Sequence, residues 1–428
     1  MIDRYEVMAP VGSRDALTAA IQAGADSVYL GVGHLNMRAH SAPAFTIADL
    51  RHVAALCADH GIRSYLALNT IIYDGDTDEM RRTIDAAKSA GITAVIASDT
   101  AVMLYCRRVG MEVHLSTQLN IANSEALRFY ARFADVAVLA RELNLDQVAA
   151  IHRYITQHNI CGPSGQPVRI EMFCHGALCM AVSGKCYLSL HNAAAADGQL
   201  RQNSANRGRC MQLCRRSYTV IDDETGTELA IDNKYIMSPK DLKTIRFIDR
   251  MMQAGVTVFK IEGRARPPEY VRTVVTCYRE AIQAVLDGTF TEQRKDQWDA
   301  RLATVFNRGF WDGYYLGQTL GEWNSHYGSA ATERKVFVGR GVRYYPRIAV
   351  AEFTCEADTI APGDRLLITG PTTGAVYVTP TEIRDDDGPV ARTAKGTRIS
   401  FATADKVRPG DKLFKIVPTA QPPTAPAP

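Results

Sequence analysis

Short apolar runs alternate with amphipathic helical stretches between residues 5 and 290, and this alternation limits the possible folds most strongly. Several of the predicted helices end at an Ala-Gly pair directly before a strand, as at Gly24, Gly91 and Gly255. Strands separated by helices form parallel sheets, and eight such units predict an α/β fold, a TIM-type (β/α)8 barrel. The predicted strands span residues 5–9, 26–31, 63–69, 94–98, 112–117, 136–140, 169–173 and 258–262.

Polar residues stand at the carboxyl ends of these predicted strands, which is where barrel enzymes carry their active sites. A doubly wound sheet would alternate in the same way, but no Gly-rich dinucleotide fingerprint follows the first strand. Each polar residue alone also suits capping or packing, whereas the whole set favours a substrate-binding rim. The set consists of Asn69, Ser98, Asp99, Ser116, Gln118, Asn120, Arg141, Glu142, His175, Lys260, Glu262 and Arg264.

Four cysteines lie in a predicted insertion at about residues 174–236, between the seventh strand and a predicted helix at residues 239–242. Connections this long in a compact domain are usually functional or disordered. Cys179 and Cys186 form one pair, and Cys210 and Cys214 form another. Single cysteines often pack as small apolar side chains. Four of them in a polar segment favour a metal centre, and soft sulfur ligands select zinc or an iron–sulfur cluster.

The same insertion carries five arginines and a predicted hairpin at residues 218–230. Arginines of this kind often form a solvated surface, but beside a thiolate cluster they also suit phosphate or carboxylate groups, which guanidinium binds with two hydrogen bonds. The five are Arg201, Arg207, Arg209, Arg215 and Arg216.

The pattern changes near Lys335, where short strands are separated by turns rich in Gly, Pro and Asp. The turn Pro-Gly-Asp occurs twice, at Pro362 and at Pro409, each time ahead of a strand. We therefore predict a barrel domain at residues 1–330, a small all-β barrel at residues 335–417 and a disordered tail at residues 418–428.

Composition places further limits on function. The chain has 428 residues, a net charge of +3 and ten cysteines. The charge is too small to indicate nucleic acid by itself, and no apolar run reaches the length of a membrane span. Because the N-terminus also lacks an apolar signal core, we expect a reducing cytoplasm, where clustered cysteines are ligands or redox groups more often than disulfides.

Several longer motifs resemble those of the U32 family, whose members have been labelled peptidases or collagenases. The main one is Glu171-Met-Phe-Cys-His-Gly-Ala-Leu-Cys179, followed by Ser183-Gly-Lys-Cys186. Others begin at His114, at Met237 and at Lys260. Within the family, the stretches 139–143, 207–215 and 307–313 are most similar to the tRNA hydroxylation branch.

This resemblance implies an RNA-modifying enzyme. The branch installs 5-hydroxyuridine at the wobble position of tRNA, with prephenate as the implied hydroxyl donor and co-substrate. Related branches hydroxylate a cytidine of ribosomal RNA or act in ubiquinone synthesis as an iron–sulfur heterodimer. The resemblance implies an iron–sulfur cluster, of the 4Fe-4S type, on Cys179, Cys186, Cys210 and Cys214. Lys243 stands near the place where the ubiquinone branch has its fourth cysteine, so the assignment depends on Cys214, with Cys174 as a less suitable substitute.

Roles for the remaining residues follow from their predicted positions at strand ends. We expect Arg141, Lys260 and Arg264 to hold the carboxylates of a prephenate-like donor. Glu171, His175 and Glu262, together with Lys260, are the candidates for proton transfer or base recognition. The other predicted substrate-binding residues are Asn69, Gln118, Asn120 and Arg209.

Two other classes of function stay open. A U32-type peptidase would need a nucleophile or a metal site, yet neither His-Glu-x-x-His nor Gly-x-Ser-x-Gly occurs, which leaves Cys179 with His175 as a conceivable thiol–imidazole pair. A non-catalytic RNA-binding protein with a structural cluster would use the small β-barrel and the arginines to dock tRNA or ribosomal RNA. The oligomeric state does not follow from the sequence.

Overall fold

Eight parallel strands close into a barrel in the computed structural model, which describes residues 5–39, 45–190, 204–229, 237–325 and 328–419. The closure is made by the strand Val256–Ile261, which pairs with the first strand at Val7↔Phe259 and with the seventh at Phe259↔Met172. This confirms the predicted TIM-type fold. The strands of this part of the chain are β1 (Glu6–Pro10), β2 (Ser27–Leu30), β3 (Arg63–Leu68), β4 (Ala94–Ala97), β5 (Glu112–Leu115), β6 (Val136–Val138), β7 (Arg169–Ala177), β8 (Val220–Ile221), β9 (Glu228–Leu229), β10 (Asp241–Lys243), β11 (Val256–Ile261) and β12 (Phe310–Trp311).

The helices pack around the outside of the barrel and begin and end at the expected signals. Ser13 caps the first helix, where its hydroxyl accepts a hydrogen bond from the Ala16 amide at 3.2 Å. Gly91 ends the third helix with a φ of 87°, which glycine adopts without steric cost. The helices are α1 (Arg14–Gln22), α2 (Leu50–Asp59), α3 (Thr77–Ala90), α4 (Thr100–Val109), α5 (Ser124–Ala131), α6 (Leu145–Gln157), α7 (Ile248–Gln253), α8 (Pro268–Leu286) and α9 (Glu292–Ala303).

The interior of the barrel is partly polar, although parallel strands covered on both faces are usually apolar. Met8, Ile96 and Val258 belong to an apolar cluster inside the barrel. Below them Glu6, which is 1% exposed, accepts hydrogen bonds from Arg63 at 2.6 Å and from the Tyr65 hydroxyl at 2.8 Å. Charged groups are therefore fixed inside the barrel as well as at its mouth.

One sequence prediction is wrong: residues 239–242 do not begin a helix. Asp241–Lys243 is strand β10, which pairs antiparallel with an extension of β7, so that Lys243 stands opposite His175. β7 therefore runs to Ala177, beyond the predicted end at residue 173. The hydrogen bonds offered by this extension override a weak local helix pattern. β12 pairs with β10 in turn, and we call residues 175–177, 241–243 and 310–311 the rim sheet.

The C-terminal part of the described chain is all-β, as predicted. Its eight strands form one antiparallel sheet in the order β16-β15-β20-β13-β14-β19-β17-β18. It packs on α1 and α8: Ala19 contacts Leu367 and Ala375, and Thr18 donates a hydrogen bond to the Pro371 carbonyl at 2.7 Å. The strands are β13 (Glu333–Tyr345), β14 (Val350–Cys355), β15 (Leu366–Gly370), β16 (Gly374–Val378), β17 (Arg384–Asp385), β18 (Gly388–Pro389), β19 (Arg398–Ala402) and β20 (Lys412–Pro418).

Some predictions concern residues outside the described ranges, and the structure does not test others. Arg201 and residues 420–428 of the predicted tail lie outside the described residues. The predicted hairpin is present where described, with Val220 paired to Leu229. The domain boundaries stay predictions. None of the described helices is long and apolar enough to cross a membrane.

Candidate active site

A cavity of about 580 Å³ opens where the barrel strands end, beneath the cysteine-rich insertion. It brings together most of the residues that the sequence singled out, six from strand ends and four from the insertion. These are Asn69, Gln118, Arg141, Lys260, Glu262, Arg264, Cys179, Cys186, Cys210 and Cys214. Their convergence from distant parts of the chain makes this cavity the candidate active site.

Four predicted residues do not line the cavity. Glu171 lies beneath it inside the barrel and is fully buried, and His175 lies on the rim sheet. Asn120 adopts a left-handed backbone with a φ of 52°, and its side chain donates to the Gln118 carbonyl at 2.9 Å. Arg209 is half-buried in the insertion. The roles predicted for these four stay predictions.

A buried charged chain runs down from the floor of the cavity. The Lys260 ammonium donates to Glu171 Oε1 at 2.6 Å, and Glu171 Oε2 lies 3.6 Å from Nδ1 of His114. Burial opposes ionisation of Glu171, but the charges of Lys260 and His114 bring its pKa below the ordinary value. Burial also disfavours the imidazolium of His114, yet Glu112 and Glu171 raise its pKa. Glu171 and His114 thus each favour the charged form of the other.

Glu262 is the acidic residue in the cavity wall, and basic groups surround it. The Arg38 guanidinium donates to its Oε1 at 2.8 Å and 3.2 Å. Burial opposes ionisation, but Arg38, Arg141 and Arg264 lower the pKa of Glu262 to about 2. Its carboxylate is therefore ionised at any physiological pH and accepts hydrogen bonds.

Arg141 is a basic side chain of the wall with a buried donor that no described residue uses. It is 9% exposed, it donates to the Ala177 carbonyl at 3.1 Å, and its guanidinium stands 3.7 Å from the centre of the Phe173 ring. Its Nε is buried and has no hydrogen-bond partner among the described residues. A buried donor without a partner costs free energy, and an anionic ligand in the cavity would relieve that cost.

Neutral polar groups form the opposite wall. The Asn69 amide donates to Ser116 Oγ and to Gln118 Oε1, each at 3.2 Å, and its oxygen accepts from the Met37 amide at 3.2 Å. These bonds fix the orientation of both amides. The wall thus offers oriented donors and acceptors to a ligand.

His175 belongs to the rim sheet and does not line the cavity. Its ring lies 5.6 Å from the rings of Tyr278 and Phe310, and it is 1% exposed. Burial, reinforced by the charges of Lys243 and Arg266, lowers the pKa of His175 to about 3. At neutral pH this imidazole is uncharged. Its carbonyl accepts from the Glu262 amide at 2.9 Å, so the residue helps to position Glu262.

The four cysteines of the insertion all face the cavity and are free thiols. Burial raises the pKa of Cys214, and the other three cysteines add to this effect, which Arg215 opposes. Four thiols at one cavity are the donor set of an iron–sulfur cluster, so the residues fit that group in kind. As placed, no three His, Cys, Asp or Glu side chains of the described chain stand close enough to hold a metal ion.

Cys174 and Lys243 do not add to this donor set. Cys174 is fully buried inside the core, and its thiol lies 3.4 Å from the Lys260 carbonyl. Lys243 forms an ion pair with Asp299 at 2.7 Å. Cys214, which faces the cavity, is the better-placed fourth thiol.

Two of the arginines of the insertion hold it onto the barrel. Arg207 pairs with Asp76 at 2.6 Å and stacks on Tyr73 with 4.3 Å between its guanidinium and the ring centre. Arg215 donates to the carbonyls of Leu178 and Pro239. Arg216 is exposed. The carboxylate that Arg207 binds is thus one of the protein itself, Asp76.

The charge of the wall favours an anionic ligand. Eight basic side chains line the cavity against one acidic side chain, Glu262. Basic groups concentrated in a cleft raise the local concentration of anions. The eight are Arg38, Arg141, Lys185, Arg215, Lys260, Arg264, Arg266 and Arg308.

Sequence reasoning missed three residues of the site. Tyr29 lines the cavity, and His114 belongs to the charged chain beneath it. Both lie within strands in the same phase as other inward residues, so a count by twos from Ser116 or from Ser27 would have found them. Arg38 follows β2 in a loop and meets Glu262 from 224 positions away, and nothing local to either residue indicates that pairing.

The sequence profile of peptidase family U32 matches residues 12–325. This chain belongs to peptidase family U32. The match includes seven of the eight barrel strands, since β1 (Glu6–Pro10) precedes it, and it includes the whole cysteine-rich insertion.

Individual relatives within the family carry different names. A protein named collagenase from Porphyromonas gingivalis is 60% identical over 415 residues, which cover 97% of this chain and 98% of the relative. A tRNA hydroxylation protein from Bacillus subtilis is 29% identical over 420 residues, which cover 96% of this chain and 94% of the relative. A 23S rRNA 5-hydroxycytidine synthase from Escherichia coli is 35% identical over 288 residues, which cover 66% of this chain and 40% of the relative.

Proposed function

We propose that this U32 protein is an RNA hydroxylase that installs 5-hydroxyuridine at the wobble position of tRNA, with prephenate as the hydroxyl donor. The observation that carries the proposal is the cavity at the barrel mouth, where four free thiols face a wall of eight basic side chains. The relatives named for hydroxylation of tRNA and of ribosomal RNA support the reaction type. A dicarboxylate such as prephenate matches the charge of the wall.

Arg141 and Arg264 are the residues that would bind the carboxylates of the donor. The Nε of Arg141 has no partner among the described residues and can donate a hydrogen bond to a carboxylate. Arg264 is oriented by a 3.0 Å hydrogen bond to Asn36. Lys260 presents a third positive charge from the floor, held in place by Glu171. Hydrogen bonds between charged partners are about twice as strong as neutral ones, so such a clamp fixes the donor in one orientation.

The reaction sets a redox balance that the site must serve. Replacing the C5–H bond of a pyrimidine by C5–OH is a two-electron oxidation. A donor that gives up the oxygen of a C–OH group leaves with a C–H bond in its place and is reduced by the same two electrons. Cys179, Cys186, Cys210 and Cys214 would hold the iron–sulfur cluster, which when bound supplies one-electron transfer.

The remaining predicted residues act through binding and position. Glu262 is ionised, so it can accept a hydrogen bond from the donor hydroxyl or from a base. Asn69 and Gln118 offer an amide pair on the opposite wall. Glu171 orients Lys260, and His175 supports Glu262 through its carbonyl.

A peptidase is the second candidate, because a relative at 60% identity is named collagenase. The geometry gives it less support. Cys179 faces the cavity, whereas His175 lies on the rim sheet and is not among the cavity-lining residues, so these two do not form a thiol–imidazole pair.

The test is mass spectrometry of nucleosides from total tRNA and ribosomal RNA. A strain lacking the gene would be complemented with the wild type, with Cys179→Ala, or with Cys161→Ala as a matched control, since Cys161 is a free cysteine that does not line the cavity. We expect loss of wobble 5-hydroxyuridine, with restoration by the wild type and by Cys161→Ala only.

Other outcomes separate the alternatives. Loss of 5-hydroxycytidine in ribosomal RNA with tRNA unchanged would move the substrate to ribosomal RNA. Full restoration by Cys179→Ala would contradict a catalytic cluster. It would favour an RNA-binding protein in which the four cysteines have a structural role. An unchanged nucleoside profile, with loss of gelatin or peptide hydrolysis, would support the peptidase.

A further inference from the structure

A shallow recess opens beside the cavity, on the side of the rim sheet. We call it the aromatic recess and define it by Glu142, Trp311, Tyr314 and Trp323. It shares Arg141 and the segment around Cys179 with the main cavity, so that the two spaces adjoin along this segment. The recess is therefore continuous with the candidate active site, but its walls come from different elements.

The aromatic walls are fixed by backbone pairing. Trp311 belongs to β12 of the rim sheet, and Tyr314 packs edge-on against it with 5.2 Å between ring centres. Trp323 forms an isolated bridge with Pro239, and the next residue, Asn324, donates its amide to the Ser238 carbonyl at 2.7 Å. A rigid aromatic platform loses little entropy when a flat ligand stacks on it.

The recess differs from the cavity in charge. The cavity wall has eight basic groups against one acid, whereas the recess has one of each, Arg141 and Glu142, and the surface that it exposes is about equally polar and apolar. Trp323 is 39% exposed although it is a large aromatic, and the buried Nε1 of Trp311 has no hydrogen-bond partner among the described residues. This combination suits a neutral, flat ligand with polar edges, and it does not suit a second anion.

We propose that the aromatic recess binds the target pyrimidine of an RNA strand, extruded from its neighbours and stacked on Trp323. The proposal rests on the proposed function. The Trp311 N–H can donate to a carbonyl of the base, and the Glu142 carboxylate can accept from N3–H of uracil or from the amino group of cytosine. Bases stack on aromatic side chains regardless of sequence, and RNA-reading proteins commonly bind unstacked bases in this way.

The size of the recess sets the position of the base. A volume of about 30 Å³ is too small for a whole pyrimidine. The ring therefore lies across the opening, with one edge in the recess and the other toward the Cys179 segment. In this arrangement the donor occupies the basic cavity while the base approaches it from the side, and the phosphates stay outside the recess.

The test compares two short single-stranded RNAs that differ only at the centre, one with a uridine and one with an abasic site. Binding of each to the full chain is followed by fluorescence anisotropy of a dye on the RNA. One stacked base is worth about ten-fold in affinity. We expect the wild type to prefer the uridine RNA by about ten-fold, and Trp323→Ala to bind both RNAs equally, at the affinity of the abasic one.

Three further variants keep the result interpretable. Trp323→Phe retains a ring and should keep most of the preference. Glu142→Ala removes an exposed carboxylate without a packing change and should reduce the preference several-fold. Phe129→Ala is the matched control, since Phe129 is 49% exposed on α5 and does not line either space, and it should keep the full preference.

The proposal is overturned if the wild type binds both RNAs equally, or if Trp323→Ala and Glu142→Ala keep the ten-fold preference. Binding of an apolar peptide in place of RNA, blocked by Trp323→Ala, would likewise overturn it. Nucleoside analysis judges the hydroxylase separately. If base preference depends on Trp323 but deletion of the gene changes no nucleoside, the base-binding role of the recess stands and the hydroxylase is refuted. If deletion removes the modified nucleoside but Trp323→Ala keeps the base preference, the role of the recess alone is refuted.

Discussion

Removal of Lys260 should destabilise the barrel far more than removal of a surface lysine. The side chains of Lys260 and Glu171 are 6% and 0% exposed, and 2.6 Å separates the ammonium from the carboxylate. Lys260→Met leaves the carboxylate buried, with His114 as its remaining charged neighbour at 3.6 Å. Breaking one side of a buried pair costs about 3–5 kcal/mol, since the other charge stays desolvated without compensation.

The double variant Lys260→Met with Glu171→Gln provides the decisive comparison. Replacing a whole buried pair by neutral groups of similar volume is often nearly neutral. Here His114 also loses its carboxylate partner, which adds about 1–3 kcal/mol. We therefore expect the double variant to lose less stability than Lys260→Met alone, although it carries one more substitution.

The assay is urea unfolding followed by tryptophan fluorescence. The three tryptophans of the chain, Trp298, Trp311 and Trp323, all precede the C-terminal sheet, so the signal reports the barrel. With a slope of about 3 kcal/mol per M, a loss of about 3–5 kcal/mol lowers the midpoint by roughly 1–1.7 M. Lys295→Met is the control, because its partner Glu292 is 70% exposed and such pairs are worth about 0–1 kcal/mol.

Two results would refute this reasoning. A Lys260→Met midpoint close to that of Lys295→Met would mean that the buried pair is compensated by water or by movement of Glu171. A double variant less stable than the sum of its single variants would mean that the two groups do not stabilise each other. Either result would also remove the structural basis for a fixed positive charge on the cavity floor.

Three more predictions follow from single residues. The pKa of His114 is raised from its ordinary value of 6.5, so protonation of His114 contributes its full stabilisation below pH 6.5. This stabilisation is lost as the pH rises through the folded-state pKa. The urea midpoint should therefore fall over this pH range in the wild type and not in His114→Asn. Arg141→Met should raise the KM for the anionic donor in a tRNA hydroxylation assay by about 10–100-fold, which is more than it raises the KM for RNA, and an unchanged donor KM would remove Arg141 from the donor site. Gly176→Ala should cost about 3 kcal/mol or more in urea unfolding, because its φ is 101° and a Cβ would stand 2.5 Å from the Glu262 carbonyl oxygen. Gly165→Ala, with a φ of 78° and open space around it, should cost only about 1 kcal/mol, and equal losses would contradict the close-contact argument.

The barrel could be predicted from the sequence because its information is local. Each strand is a short apolar run and each helix has its own caps, so Ser13 and Gly91 could be recognised without knowledge of their distant neighbours. The rule that barrel sites stand at strand ends then brought Asn69, Arg141 and Glu262 to one side. No contact had to be predicted for this step.

The rim sheet could not be predicted in the same way, because its strands exist only through each other. Asp241–Lys243 is three residues long, and its hydrogen bonds come from an extension of β7 more than sixty positions earlier in the chain. Local propensity in so short a segment is a weak guide when a distant strand supplies the partners. The pairing of Arg38 with Glu262 could not be predicted for the same reason. The placement of His175 within the rim sheet followed from the strand that was missed.

The protonation states of the site argue for binding and redox chemistry in preference to hydrolysis by acid–base catalysis. A hydrolase needs a group whose pKa lies near the working pH and which faces the substrate. Glu262 faces the cavity, but its pKa is about 2, and His175, with a pKa of about 3, is buried in the rim sheet and does not line the cavity. Glu171 is buried and bound to Lys260. Within the described chain no histidine lines the cavity, so its fixed charges suit the orientation of an anionic donor, while a group held by the four thiols would carry electrons between the base and that donor.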